Sequence, residues 1–133
     1  MMFRPSVLLA SLAAFCVVNL EAKPKPVAEL ADPTSFQAAT AVVRARILAP
    51  PGECDKYCTA PVETIRVLKA PQGVTFPPKF DIAFLSFGPH PPVGVSTLYL
   101  VRYNPQKPEL GWSLLSKSSR DDKAVGFSHH EPE

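Results

Sequence analysis

The sequence predicts a mainly β fold, a small antiparallel barrel or sandwich of five or six strands with one short helix. Several short segments alternate between apolar and polar residues, which is the period of a half-buried strand. The 16 prolines fall mostly between these segments, where they cannot interrupt a strand ladder. The length of 133 residues, of which 46% are hydrophobic and 20% charged, suits one small globular domain and excludes a multidomain enzyme.

Residues 1–22 have the layout of a secretory signal peptide. Arg4 gives a positively charged head, Ser6 to Leu20 form an uncharged apolar stretch, and Ala22 precedes a polar segment. As a helix this stretch would span about 22 Å, less than the roughly 30 Å hydrocarbon core of a bilayer. We therefore predict cleavage after Ala22 and a periplasmic or secreted protein without a membrane span. A lipoprotein modified at Cys16 is the less favoured alternative.

The domain is predicted over residues 32–127, between a proline-rich linker at 23–31 and a disordered tail at 128–133. Its helix is predicted to begin at Pro33, because Asp32 is a suitable N-cap and proline is favoured at the first helical position. In the first strand Val43 and its alternate neighbours are expected to face the core, and Arg44 the solvent. Strands are predicted at residues 41–48, 61–69, 79–87, 96–103, 111–116 and 123–127.

Cys54 and Cys58 are predicted to form a disulfide that pins the loop between the first two strands. They are the two cysteines that remain after the signal peptide, and an oxidising compartment favours their pairing. A redox site is the first alternative, but it usually has two intervening residues and a following helix, and this loop has neither. A metal site is the second alternative, and zinc would need about two more ligands.

The chain carries none of the common catalytic motifs, so we predict a protein that is not an enzyme and has no catalytic residues, cofactor or metal. His90 lies between two prolines and is expected to be an exposed loop residue. His129 and His130 in the predicted tail could bind zinc or copper weakly, and this possibility stays open. Asp81 stands among apolar residues and is expected to face outward, opposite an arginine.

The expected partner is an unknown protein or an envelope component, and the chain is expected to be a monomer. A net charge of +2 is too small for a nucleic-acid-binding surface, so no nucleic acid is expected. Rigid proline-rich loops at 50–61 and 88–94 are the predicted binding surface, because they lose little entropy on binding. A face for an anionic glycan is a weaker possibility, and it would use Arg44, Arg46, Arg66, Arg102, Tyr99 and Tyr103.

The order of the predicted elements resembles that of a known group. It consists of a short helix, a strand at 41–47, a strand that ends at Ala70, then Gly73, and a strand before Trp112. It is similar to small exported bacterial proteins with an OB-like barrel, related in architecture to netrin and tissue-inhibitor-of-metalloproteinase domains. The resemblance covers residues 33 to about 117 and implies a five- to six-stranded antiparallel OB-like barrel with one short N-terminal helix.

The resemblance also implies an alternative to the binding module, which is an inhibitor of a protease or another enzyme. Members of the inhibitor family bind the zinc of a protease through an N-terminal cysteine. The predicted mature chain begins at Lys23, and its first cysteine is Cys54. That inhibitory chemistry is therefore not expected here, and a shared fold does not establish a shared function.

Overall fold

A computed structural model of the chain describes residues 26–52, 54–116 and 124–129. Over these residues the structure has two short helices, a 3-10 turn at Pro108–Leu110 and six strands. The helices are α1 (Val27–Leu30) and α2 (Pro33–Ala38). The strands are β1 (Ala41–Ile47), β2 (Tyr57–Lys69), β3 (Lys79–Leu85), β4 (Gly94–Arg102), β5 (Trp112–Leu114) and β6 (Phe127–His129).

Five strands close into a barrel in the order β1-β2-β3-β5-β4, and β4 pairs back with β1. β6 is an additional strand that pairs with β4. The prediction of a small, mainly β barrel with a short N-terminal helix is confirmed. The prediction of a wholly antiparallel sheet is wrong at one place, because β3 and β5 run parallel, with Ile82 opposite Trp112.

β5 and β6 lie in line along one edge of β4, like a single strand with an interruption. Leu100 to Arg102 pair with β5, whereas Ser96 to Leu98 pair with β6. Between these two pairings, the backbone of Tyr99 accepts a hydrogen bond from Leu115 N and donates one to Gly126 O, both at 2.9 Å. The chain therefore leaves the β4 edge after Leu115 and returns to it at Gly126.

The interior of the barrel is filled by inward side chains from all five barrel strands, among them Cys58 and Val62 of β2 and Trp112 of β5. Trp112 is buried, its ring centroid lies 5.2 Å from that of Phe76, and the Arg102 guanidinium carbon lies 4.1 Å from the Trp112 centroid. Ile65 and Val67, which alternation in the second strand would place in the core, are both exposed. The register of β1 against β2 shifts at Arg44/Ala45, which leaves Ile65 opposite no residue of β1.

The outer face of β1 and β4 is also buried. Leu30 at the end of α1 has almost no solvent exposure, and Arg44 and Thr97 are fully buried. Arg44 Nη1 donates to Thr97 Oγ1 at 3.3 Å, and Thr97 Oγ1 donates to the carbonyl of Leu30 at 2.6 Å. The prediction that Arg44 faces the solvent is therefore wrong, because the N-terminal helical segment covers this face of the sheet.

The helix start predicted at Asp32-Pro33 is confirmed. The Asp32 carboxylate accepts hydrogen bonds from Ser35 N at 3.0 Å and Ser35 Oγ at 2.9 Å, and Pro33 is the first residue of α2. At the other end, Lys69 Nζ donates to the carbonyls of Phe36 and Ala39, each at 2.7 Å. Lys69 thus holds the C-terminal carbonyls of α2 against β2.

Two predicted boundaries are corrected, and one lies outside the described residues. α1 occupies residues 27–30 of the predicted linker, and Leu30 is part of the buried interior. The predicted tail begins two residues too early, because Ser128 and His129 belong to β6 and pair with β4. Both differences have the same cause, which is contact with β4. The Leu30 carbonyl accepts a hydrogen bond from Thr97, and β6 pairs with β4. The predicted signal peptide at 1–22 lies outside the described residues.

The interruption between β5 and β6 predicts a strict need for glycine at position 126. A Cβ atom on Gly126 would lie 2.7 Å from Leu115 O and 3.1 Å from Leu114 Cβ, so the backbone would have to move. Gly126→Ala should lower the free energy of unfolding by about 1–3 kcal/mol. Gly52→Ala is the matched control, because a Cβ there has no neighbour within 4 Å, and its effect should stay within about 0.5 kcal/mol. Equal losses of stability in the two variants, measured by chemical denaturation, would contradict the close packing of Gly126 against Leu114 and Leu115.

Candidate functional site

The two loops that the sequence predicts as a binding surface, at 50–61 and 88–94, lie at the same end of the β2–β3 pair, but the first is shorter than predicted, because residues 57–61 belong to β2. They flank the antiparallel pair β2–β3, in which Tyr57 lies opposite Leu85. Just beyond this pair, the backbone N–H of Ser86 donates to the carbonyl of Lys56 at 3.0 Å. We call residues 54–57 and 86–93 together the loop site.

A disulfide between Cys54 and Cys58 anchors the first part of the loop site. Cys54 is exposed, whereas Cys58 is fully buried in the barrel interior. The bond therefore ties the surface loop to the core, and it encloses Asp55, Lys56 and Tyr57. The predicted disulfide is present, and it links Cys54 in the β1–β2 connection to Cys58, the second residue of β2.

The second part of the loop site holds an exposed phenylalanine. Phe87 is 76% exposed, two residues beyond the end of β3. His90 steadies the loop around it, because its Nε2 lies 2.8 Å from the carbonyl oxygen of Ser86 and its ring packs edge-on against Phe84. The prediction that the third strand extends through Phe87 is wrong, because β3 ends at Leu85. The Gly88-Pro89 pair is the sequence feature that indicates this earlier end.

An apolar cavity of about 510 Å³ lies beside Phe87. It fills the gap between the end of β3 and the place where the chain leaves and rejoins the β4 edge. No local sequence pattern predicts this cavity, because it forms only where residues near 115 and 126 meet in space. Its apolar lining is provided by Phe84, Leu85, Phe87, Leu114, Val125 and Phe127.

Two half-exposed tyrosines adjoin the loop site. Tyr57 and Tyr103 are each 40% exposed, and their ring centroids lie 5.2 Å apart. Lys56 Nζ lies 5.8 Å from the centroid of the Tyr57 ring. The glycan interpretation placed Tyr99 on the same face as Tyr103 to stack on a ligand, but Tyr99 is fully buried, with its hydroxyl bonded to Asp32 N. Tyr57 takes that position because the disulfide loop brings it there.

The arginines do not form the single outer face that an anionic glycan would need. Arg44 is buried, and Arg102 stacks on the ring of Trp112 at the end of the barrel. Arg46 pairs with Glu63 across the β1–β2 ladder, Nη1 to Oε1 at 2.9 Å, and so is already neutralised. The glycan interpretation loses its geometric support, because these side chains point to different parts of the surface.

The remaining polar candidates stand apart from one another. Asp81 is exposed, and its register partner on β2 is Pro61 rather than an arginine. His129 belongs to β6, with Nδ1 lying 3.3 Å from Ser96 Oγ, and His130 lies outside the described residues. Within the described part of the chain, no three His, Cys, Asp or Glu side chains come together as a metal site would require.

Comparison with protein-family models, with curated proteins and with solved structures finds no match. The functional interpretation therefore depends on the geometry of the loop site and the cavity. Neither α1 nor α2, the helices of the described residues, has the length and apolar character needed to cross a membrane.

The disulfide predicts a modest loss of stability when it is removed. Since Cys58 is buried, the suitable double variant is Cys54→Ser with Cys58→Ala, which places no new hydroxyl in the core. Loop-closure entropy for so short a loop predicts a loss of about 2 kcal/mol in the free energy of unfolding, with the barrel still folded. Denaturant unfolding of both proteins measures this loss. Two thiols per chain that react in the native wild-type protein would show that the bond is absent.

Proposed function

We propose that the chain is an exported, non-enzymatic binding protein that engages another protein or an envelope component through the loop site. The observation that carries this proposal is Phe87, a large apolar side chain left 76% exposed at a loop held firmly in place. Large aromatic side chains in rigid settings are the usual anchors of protein interfaces. We expect Phe87 to be buried by the partner.

Rigidity of the loop site favours tight binding. The segment that follows Phe87 contains Pro89, Pro91 and Pro92, and the His90 ring is tied to Ser86 and Phe84. On the other side, the disulfide holds the turn that carries Tyr57. A loop that is already fixed in one conformation loses little conformational entropy when a partner docks, so more of the contact energy remains as affinity.

Export is proposed from two independent features of the chain. The apolar segment before Ala22 has the layout of a signal peptide, and the Cys54–Cys58 disulfide is suited to an oxidising compartment. The mature protein would then act in the periplasm or outside the cell, as a monomer. The relationship to small exported bacterial proteins with an OB-like barrel stays a prediction.

Enzyme inhibition is the second candidate function, and the protruding loop around Phe87 is the observation that favours it. A rigid exposed loop can fill the cleft of an enzyme without first becoming ordered. Zinc ligation by an N-terminal cysteine would not be the mechanism, because the predicted mature chain begins at Lys23 and its first cysteine, Cys54, lies well inside the chain. Activity of the captured partner, measured with and without the protein, would separate inhibition from simple binding.

The proposal predicts that photo-crosslinking through position 87 reaches the partner. A photoreactive phenylalanine analogue at Phe87 should give one dominant covalent adduct in intact cells, identified by mass spectrometry. The same analogue at Ile65, an exposed apolar residue far along β2, is the matched control and should give none. Phe87→Ser should weaken binding of that partner by about tenfold or more, whereas Ile65→Ser should leave it unchanged. Equal adducts from both positions would contradict the assignment of the loop site.

A further inference from the structure

The interruption between β5 and β6 opens the wall of the barrel. β3 pairs with β5 only at Ile82 and Ala83, since β5 is three residues long. Beyond that pairing, Phe84 and Leu85 face the gap where the chain has left the β4 edge. The apolar cavity lies at this gap, between the end of β3 and the residues on either side of the interruption.

The cavity is an outward extension of the hydrophobic core. Phe84 and Leu114 belong to the core, and Phe127 packs against it while half-buried. The lining is therefore fixed by the same contacts that hold the barrel together. A fixed, concave and apolar wall is typical of sites for small molecules, which have volumes of about 300–1,000 Å³. The volume of about 510 Å³ lies within that range.

Charge decides which molecules suit this cavity. Of the described residues that line it, which are parts of 84–89, 114–116 and 125–127, none has an ionisable side chain. A charged group placed there would lose its hydration without gaining a counter-ion, which is strongly unfavourable. An uncharged apolar molecule gains free energy when its surface and that of the lining leave water.

We propose that this cavity binds a small, neutral, apolar molecule of the size of a medium-chain alcohol. This inference goes beyond the proposed partner binding, because it concerns the space inside the wall opening and not the exposed surface of the loop site. The two share Phe87, which lines the cavity on one side and is exposed on the other. A ligand in the cavity would therefore contact the anchor side chain that the proposed partner covers.

The test is a fluorescence titration of the folded protein with phenylnaphthylamine, a neutral apolar fluorophore, followed by competition at neutral pH. We expect saturable binding, and displacement by decanol at concentrations about tenfold lower than those needed for decanoate, because only the carboxylate must be desolvated without a partner. Absence of saturable binding, or equal displacement by the two competitors, would overturn the proposal.

Two tryptophan variants locate the site. Val125 lines the cavity and is 36% exposed, so Val125→Trp should fill the opening and weaken fluorophore binding by about tenfold. Val93 is 55% exposed in the neighbouring loop and does not line the cavity, so Val93→Trp should bind like wild type. Equal losses in both variants would place the fluorophore elsewhere.

A measurement on the wild-type protein covers the case in which Val125→Trp fails to fold. Intermolecular nuclear Overhauser effects from decanol should reach the methyl groups of Leu114 and Val125, and not those of Val43 in the barrel interior. Contacts to Val43 alone, or none, would overturn the site. A negative result in these ligand-binding experiments does not change the crosslinking expected from Phe87. The cavity and the partner surface are therefore tested separately.

Discussion

Tyr99 makes the contacts on which most of the structure depends. Its backbone bonds to Leu115 and Gly126 and so holds both ends of the interrupted strand against β4. Its hydroxyl accepts from Asp32 N at 2.6 Å and shares a hydrogen bond with Ser128 Oγ at 3.0 Å. One fully buried residue therefore joins the barrel wall, the N-terminal helical segment and β6.

This arrangement gives β4 two buried faces and two occupied edges. The inner face contributes Leu98 and Leu100 to the core, while the outer face places Thr97 beneath the N-terminal segment. Buried polar groups are tolerable only when they are hydrogen-bonded, and Thr97 satisfies this by accepting from Arg44 and donating to Leu30. The chain leaves this edge of β4 after Leu115 and rejoins it at Gly126.

Local pattern was enough to locate five of the six strands approximately and the start of α2, because alternation and the Asp32-Pro33 pair act over a few residues. The sixth strand, predicted at 123–127, lies instead at Phe127–His129. Local pattern was also enough for the disulfide, since the two cysteines that follow the predicted signal peptide leave one pairing. It failed for Arg44, whose cover comes from Leu30 far away in sequence, and for Ile65, which the β1–β2 register shift turns outward. The cavity and the Tyr57–Tyr103 contact arise only from tertiary approach, so no local signal could have shown them.

The loop site and the wall opening together make one end of the barrel suited to recognition. The disulfide and the prolines fix the conformation of its surface loops, and the apolar cavity lies at the interruption between β5 and β6. The central claim is that the barrel wall is open to small apolar molecules at this end. Methyl shifts under xenon pressure test it most directly, because xenon enters dry apolar cavities. The account predicts shifts at Leu114, Leu115 and Val125 with none at Val43, whereas no shifts at all, or uniform shifts that include Val43, would contradict it.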